Sequence, residues 1–226
     1  MAHGHTETSP DQDLTFTAQA KMVLEFIDKL GLESVDLVGS DSGGAIVQIV
    51  SAHAPERVNS LVLTNCDVHN NWPSKALEAI RSTASKGGLA DNFAAMLDNP
   101  ELTRAPGGLA TMLFEDPNGI TDEQIRIFLQ PLTKTPERRA LFNRYVAPQD
   151  PTQLTRIETE LRALNTPSLI IWATDDIFFG VEWAHWLNEA LPNAEDVILI
   201  EGAKLFFPFE RPKEISEHIR KFWTKL

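Results

Sequence analysis

Tyrosine and cysteine are the scarcest residues here: the 226-residue chain has one of each, Tyr145 and Cys66. A single thiol excludes an internal disulfide and a cysteine-based zinc cluster, and it points to a reducing, cytoplasmic setting. Basic residues are also few. Twenty Lys and Arg stand against 32 Asp and Glu, a formal net charge of -12. That balance speaks against nucleic acid as a partner, because phosphate recognition needs clustered cations. No apolar run approaches the ~20 residues of a membrane-spanning helix, and no basic-then-apolar leader opens the sequence. No membrane is therefore expected. His3 and His5, in a polar opening stretch, read as solvated side chains, and neither a metal nor a cofactor is expected.

What is present is an ordinary globular mix, 42% hydrophobic and 23% charged. TAQAKMVLEFIDKLG has helical spacing, with Met22, Val23, Phe26, Ile27 and Leu30 on one face, Thr17 as cap and Gly31 as stop. SVDLVG reads as a strand, SGGAIVQIVSAHAPE as a helix and VNSLVLTNC as a buried strand. Strand, helix and strand in such close succession predict a βαβ unit and a parallel sheet. From Asn70 to about Thr166 the strand signal vanishes. Five helical segments follow one another, separated by KGG, RAPGG, DPNG and APQDP. The alternation then resumes with PSLIIWA, GVEWAHWLNEALP, EDVILIEG and RPKEISEHIRKFW. The expected organisation is an α/β core over residues 1–69 and 167–226, with a helical cap inserted over 70–166.

The chemistry centres on VGSDSGGA, residues 38–45. A strand that turns sharply into a helix through Gly-x-nucleophile-x-Gly strains its central residue and lifts that side chain above the sheet. The helix N-terminus behind it favours negative charge. The register Gly39-Ser40-Asp41-Ser42-Gly43 supplies both glycines and puts Asp41 at the apex. A shift by one puts Ser42 there and replaces the first glycine by Ser40. The first register is preferred. The bland alternative is a glycine-rich turn in which Asp41 only caps the helix.

The stretch SVDLVGSDSGGAIVQIVSAHAPERVNSLVLTN resembles the nucleophile elbow of the α/β-hydrolase superfamily. The likeness extends through TPSLIIWATDD to VILIEGAKLFFPFERPKEI, and HGHTETS resembles a loop after an earlier strand of that fold. An aspartate at the elbow resembles the branch containing haloalkane dehalogenases and epoxide hydrolases. In that branch the carboxylate attacks carbon, and water then hydrolyses the ester. The resemblance implies a parallel sheet of α/β-hydrolase type with a helical cap, acting on a small, largely apolar substrate. It implies Asp41 as nucleophile, the Ser42 backbone N–H as an oxyanion donor, and Asp176 as the acid of the triad, ahead of Asp175.

The sequence departs from that pattern in three places. The family loop carries a histidine three residues after its glycine; here Gly202 is followed by Ala203, Lys204 and Leu205. A leucine cannot take a proton, so His69, in CDVHNNWP, is the surrogate base to consider. Ser42 stands where dehalogenases carry a halide-holding tryptophan, and Tyr145 alone cannot form the tyrosine pair of epoxide hydrolases. The strands that precede the elbow in the family are also missing. The expectation is an N-terminally truncated member whose first strand is an unprotected apolar edge and a possible site of homo-oligomer formation. A catalytically impaired or non-catalytic member, with a binding or scaffold role, is the alternative reading. Trp72, Phe114, Phe178, Phe179, Phe206 and Phe207 are candidate pocket residues or, equally, core.

Overall fold

Short apolar runs between helical segments set the element order of the computed structural model, which describes residues 1–226. In chain order the elements are α1 (Phe16–Lys29), β1 (Val35–Asp41), α2 (Ser42–His53) and β2 (Val58–Cys66). Six helices follow: α3 (Glu78–Ser85), α4 (Leu89–Asp98), α5 (Glu101–Arg104), α6 (Leu109–Leu113), α7 (Asp122–Thr133) and α8 (Pro136–Val146). The chain closes with α9 (Glu158–Arg162), β3 (Ser168–Ala173), α10 (Val181–Ala190), β4 (Ile198–Ile200), α11 (Phe207–Glu210) and α12 (Pro212–Trp223). No helix is long and apolar enough to cross a membrane.

Two units emerge. One comprises Phe16–Ser74 and Pro151–Leu226. Its four strands form a sheet of order β1-β2-β3-β4, and every pairing is parallel. Strands β2 and β3 are central and almost wholly buried, which is why their apolar stretches, LVL in β2 and LIIWA in β3, do not alternate with exposed polar residues. On one face Val62, Leu169, Ile171 and Ala173 pack with Ile200, Phe207, Ile215 and Phe222. The periodicity of the last helix predicts Ile215, Ile219, Phe222 and Trp223 inward; Ile215 and Phe222 are buried and Ile219 packs against them, but Trp223 is 40% exposed and its indole N–H donates to Ser60 Oγ at 2.9 Å.

Helix α1 departs from the expected single inward face. Ile27 is buried with Phe16, Gln19 and Ala20, but Phe26 is 60% and Leu30 is 55% exposed. The helix packs on α2 along one stripe, and the adjacent strand β1 is the sheet edge, so Val38 is also half exposed. Thr17 lies inside the helix rather than at its cap, and its N–H is met by Gln153 Oε1 at 3.3 Å.

The other unit comprises Met1–Thr15 and Lys75–Asp150. Its helices enclose a core of Ala84, Leu89, Ala90, Leu132 and Phe142. Helix α7 starts with a capping box between Thr121 and Gln124, and α8 starts with Thr135 as cap and Pro136 in its first turn. Buried Asn143 accepts the Ala90 N–H and donates to Gly87 O.

Residues 1–15, which the sequence groups with the sheet, belong to this helical unit. Ala2 and Leu14 pack against Tyr145. Arg138 donates to the carbonyls of Thr6 and Gly4, and Arg144 donates to those of Pro10 and Gln12. The segments 70–74 and 151–166 group with the sheet instead.

Candidate active site

The turn from β1 into α2 is built by close approach. A Cβ on Gly39 would lie 2.4 Å from Val47 Cγ2 and 2.7 Å from Gly44 Cα. One on Gly44 would lie 2.2 Å from Cys66 Cβ, whereas Gly43 faces open space. The glycines the turn requires are therefore 39 and 44, not 39 and 43. Together they let the start of α2 press onto the ends of β1 and β2.

Between them Asp41 adopts φ 53° and ψ -133°, a conformation that side chains other than glycine rarely hold and that costs about 1–3 kcal/mol. Ser42 is already helical. The strained apex is thus Asp41, and the register with Ser42 at the apex is not the one the backbone adopts. Asp41 stands at the N-cap position of α2, but its side chain makes no capping hydrogen bond; the adjacent Ser42 amide and hydroxyl act on its carboxyl instead.

Register carries the neighbouring strand ends to the same rim. Asp41 pairs with Cys66 across a shift after Gly39, and Asp41 O accepts the Asp67 N–H at 3.4 Å. Burial pushes the Asp41 carboxyl above the ordinary carboxylate range, against the lowering effect of the Ser42 amide and hydroxyl. Burial likewise pushes the Cys66 thiol well up, and the charges of Asp67, Asp41 and Asp176 add to it.

Asp176 follows β3 and is 9% exposed, while Asp175 beside it is exposed and bonds to Thr174 Oγ1. Asp176 Oδ1 accepts the N–H groups of Phe178 (2.7 Å) and Phe179 (3.3 Å), and Oδ2 accepts from Asn65 Nδ2 at 2.9 Å. Those donors favour the charged form. Burial outweighs them, and with the Asp41 charge nearby the carboxyl is raised to about 6. The structure thus brings Asp41, Ser42 and Asp176 to one rim of the sheet.

His69 has other partners. It holds φ 45° just past β2; its Nε2 lies 2.9 Å from Glu158 Oε2, and its ring stacks on Trp186 at 4.6 Å. Arg162 completes that cluster, bonding Glu158 Oε1 and lying over Trp186. No hydrogen bond joins His69 to Asp41 or Asp176. His185 is exposed. Leu205 is 3% exposed in the segment after Gly202, whose φ is 71°. The position where the resemblance calls for a base holds a buried leucine.

Among the aromatic candidates, Phe207 is part of the sheet core and Trp72 packs on Phe16 at 4.4 Å. The Phe179 carbonyl accepts the Trp172 indole N–H. Asn65 is the site residue that sequence reasoning missed. Its only signal there was a polar side chain in the apolar run VNSLVLTNC.

The sequence profile of the α/β hydrolase fold matches residues 1–212. An uncharacterized hydrolase (YugF) of Bacillus subtilis is 25% identical, over 97% of this chain and 76% of its own length. A bovine monoacylglycerol lipase is 24% identical, over 97% of this chain but 64% of its own length. Among solved structures, an α/β hydrolase fold protein from Burkholderia ambifaria superposes with a TM-score of 0.80 at 18% identity, covering 97% of this chain and 77% of that one. A putative ancestral haloalkane dehalogenase gives 0.75 at 19% identity, covering 98% and 78%. An epoxide hydrolase gives 0.74 at 18% identity, covering 99% and 79%. With the elbow, the parallel sheet and a family match over most of its length, the chain belongs to the α/β hydrolase fold family.

Proposed function

We propose that the chain is a hydrolase of small, largely apolar electrophiles, with the Asp41 carboxylate as its nucleophile. The observation that carries this reading is the strained φ of 53° at the strand–helix junction. Strain of that kind persists where it presents a side chain for chemistry.

In the proposed sequence, an Asp41 oxygen attacks the substrate carbon, the bond to the leaving group breaks, and the leaving group departs with the electron pair. An ester on Asp41 results. Water then adds to the ester carbonyl, the Ser42 N–H stabilises the oxyanion, and collapse releases the alcohol and restores the carboxylate. The proton lost by that water needs an acceptor. With Leu205 at the usual position, the acceptor is Asp176, whose carboxyl sits near 6, a range suited to a general base at neutral pH.

Leu205 also favours a second reading, a family member that binds or traps electrophiles without turnover. Incubation with a terminal epoxide and with an alkyl halide, followed by intact-protein mass measurement in water and in 18O-water, separates the two. An adduct that forms and decays, leaving 18O in Asp41, is the hydrolase result. An adduct that persists is the trapping result. No adduct, or the same adduct on Asp41→Asn, refutes the nucleophile. Labelling of Ser42 by a fluorophosphonate would move the chemistry to an esterase.

A further inference from the structure

We propose that Asn65 is the positioning residue of this site, its side-chain amide holding Asp176 Oδ2 in place from the end of the neighbouring strand. The inference rests on the role given above to Asp176.

Backbone pairing of β2 with β3 runs from Leu61–Ser168 to Thr64–Ile171 and then stops. Past that point the Asn65 side chain takes over. Its Oδ1 accepts the Ala173 N–H at 2.6 Å, and its Nδ2 donates to Asp176 Oδ2 at 2.9 Å, with Ala173 O and Phe179 O at 3.2 and 3.3 Å. The amide orientation is dictated, because only an oxygen can face the Ala173 N–H, so the nitrogen must face Asp176. Asn65 is fully buried, and a buried amide with every polar atom engaged is rigid. An ionised carboxylate has about four acceptor sites. Two at Oδ1 go to Phe178 and Phe179 and one at Oδ2 goes to Asn65, which leaves a single site for an incoming proton. A plain sheet residue at 65 would leave that oxygen free to turn.

The test is an NMR titration of the intact protein, following the Asp176 carboxyl carbon and the Asn65 side-chain amide. Both should move with one midpoint, about 6. Asn65→Asp keeps an acceptor for the Ala173 N–H but replaces the donor by a second acid. It should lift the Asp176 midpoint by about one unit and so slow release of the Asp41 adduct about twofold at pH 7 and about tenfold at pH 5, with adduct formation unchanged. A purely structural role would lower stability and leave the midpoint in place, which overturns the proposal. If Asn65→Asp does not fold, the wild-type titration decides, because an Asn65 amide that stays flat through the Asp176 transition overturns it. Absence of any adduct in the wild type sinks the hydrolytic reading while leaving the amide titration standing.

Discussion

Replacing Asp176 by Asn should change how stability depends on pH, and by an amount set by burial. The folded carboxyl is raised from 3.8 to about 6, roughly two units, and each unit corresponds to ~1.36 kcal/mol. The folded state therefore binds this proton more tightly than the unfolded chain by about 3 kcal/mol. The residue is 9% exposed, so solvent screening takes little from that figure. The sign follows from proton counting. Between 3.8 and about 6 the unfolded chain has released the proton and the folded chain has kept it, so stability falls as pH rises through that window and levels off above it. The group's penalty is absent below the unfolded value and complete above the folded one. Asp41 acts with the same sign, since its carboxyl is also raised by burial. The Asp41 charge in turn contributes to the rise at Asp176.

The assay is urea unfolding of the wild type and Asp176→Asn at steps between about pH 4 and pH 8. The variant's neutral amide meets the donors of Asn65, Phe178 and Phe179 differently from a carboxylate, and that shifts the variant's curve by a constant. The slope is the readout. The wild type should lose about 3 kcal/mol more than the variant across the window. Parallel curves would refute the claim that desolvation governs this carboxyl.

Three further outcomes follow from the geometry. Gly44→Ala drives a Cβ to 2.2 Å from Cys66 Cβ and should destabilise the sheet unit by ~1–3 kcal/mol or more, read as a lower urea midpoint, whereas Gly43→Ala should be mild. Asp41→Gly removes the side chain from a backbone at φ 53° and should stabilise by about 1 kcal/mol while abolishing adduct formation; a loss of stability there would contradict the strain. His69→Ala breaks the contacts with Glu158 and Trp186 and should cost ~1 kcal/mol, with adduct formation and decay on Asp41 within about twofold of wild type. A block in decay would instead make His69 the base.

The sheet unit was legible because its signals are local. The central strands carry the apolar stretches LVL and LIIWA, the helices have 3.6-residue spacing, and glycine punctuates the turn. The exposed stripe of α1 was not legible, since Met22, Phe26 and Leu30 have the same apolar chemistry as Phe16, Ala20 and Ile27. Which stripe is covered depends on the neighbours that fold against it. The place of residues 1–15 was equally hidden, because it depends on Arg138 and Arg144 meeting backbone carbonyls more than 130 positions away.

The order of strands and helices and the strained aspartate at the elbow were determined by sequence alone. A strand that must bend within a few residues against its own helix leaves no room for Cβ atoms, and that demand is written in the adjacent glycines. Only the tertiary structure decided what surrounds the second carboxylate. Asn65 and Asp176 stand 111 positions apart. The low dielectric that raises Asp176 and the amide that holds it come from groups that folding alone brings together.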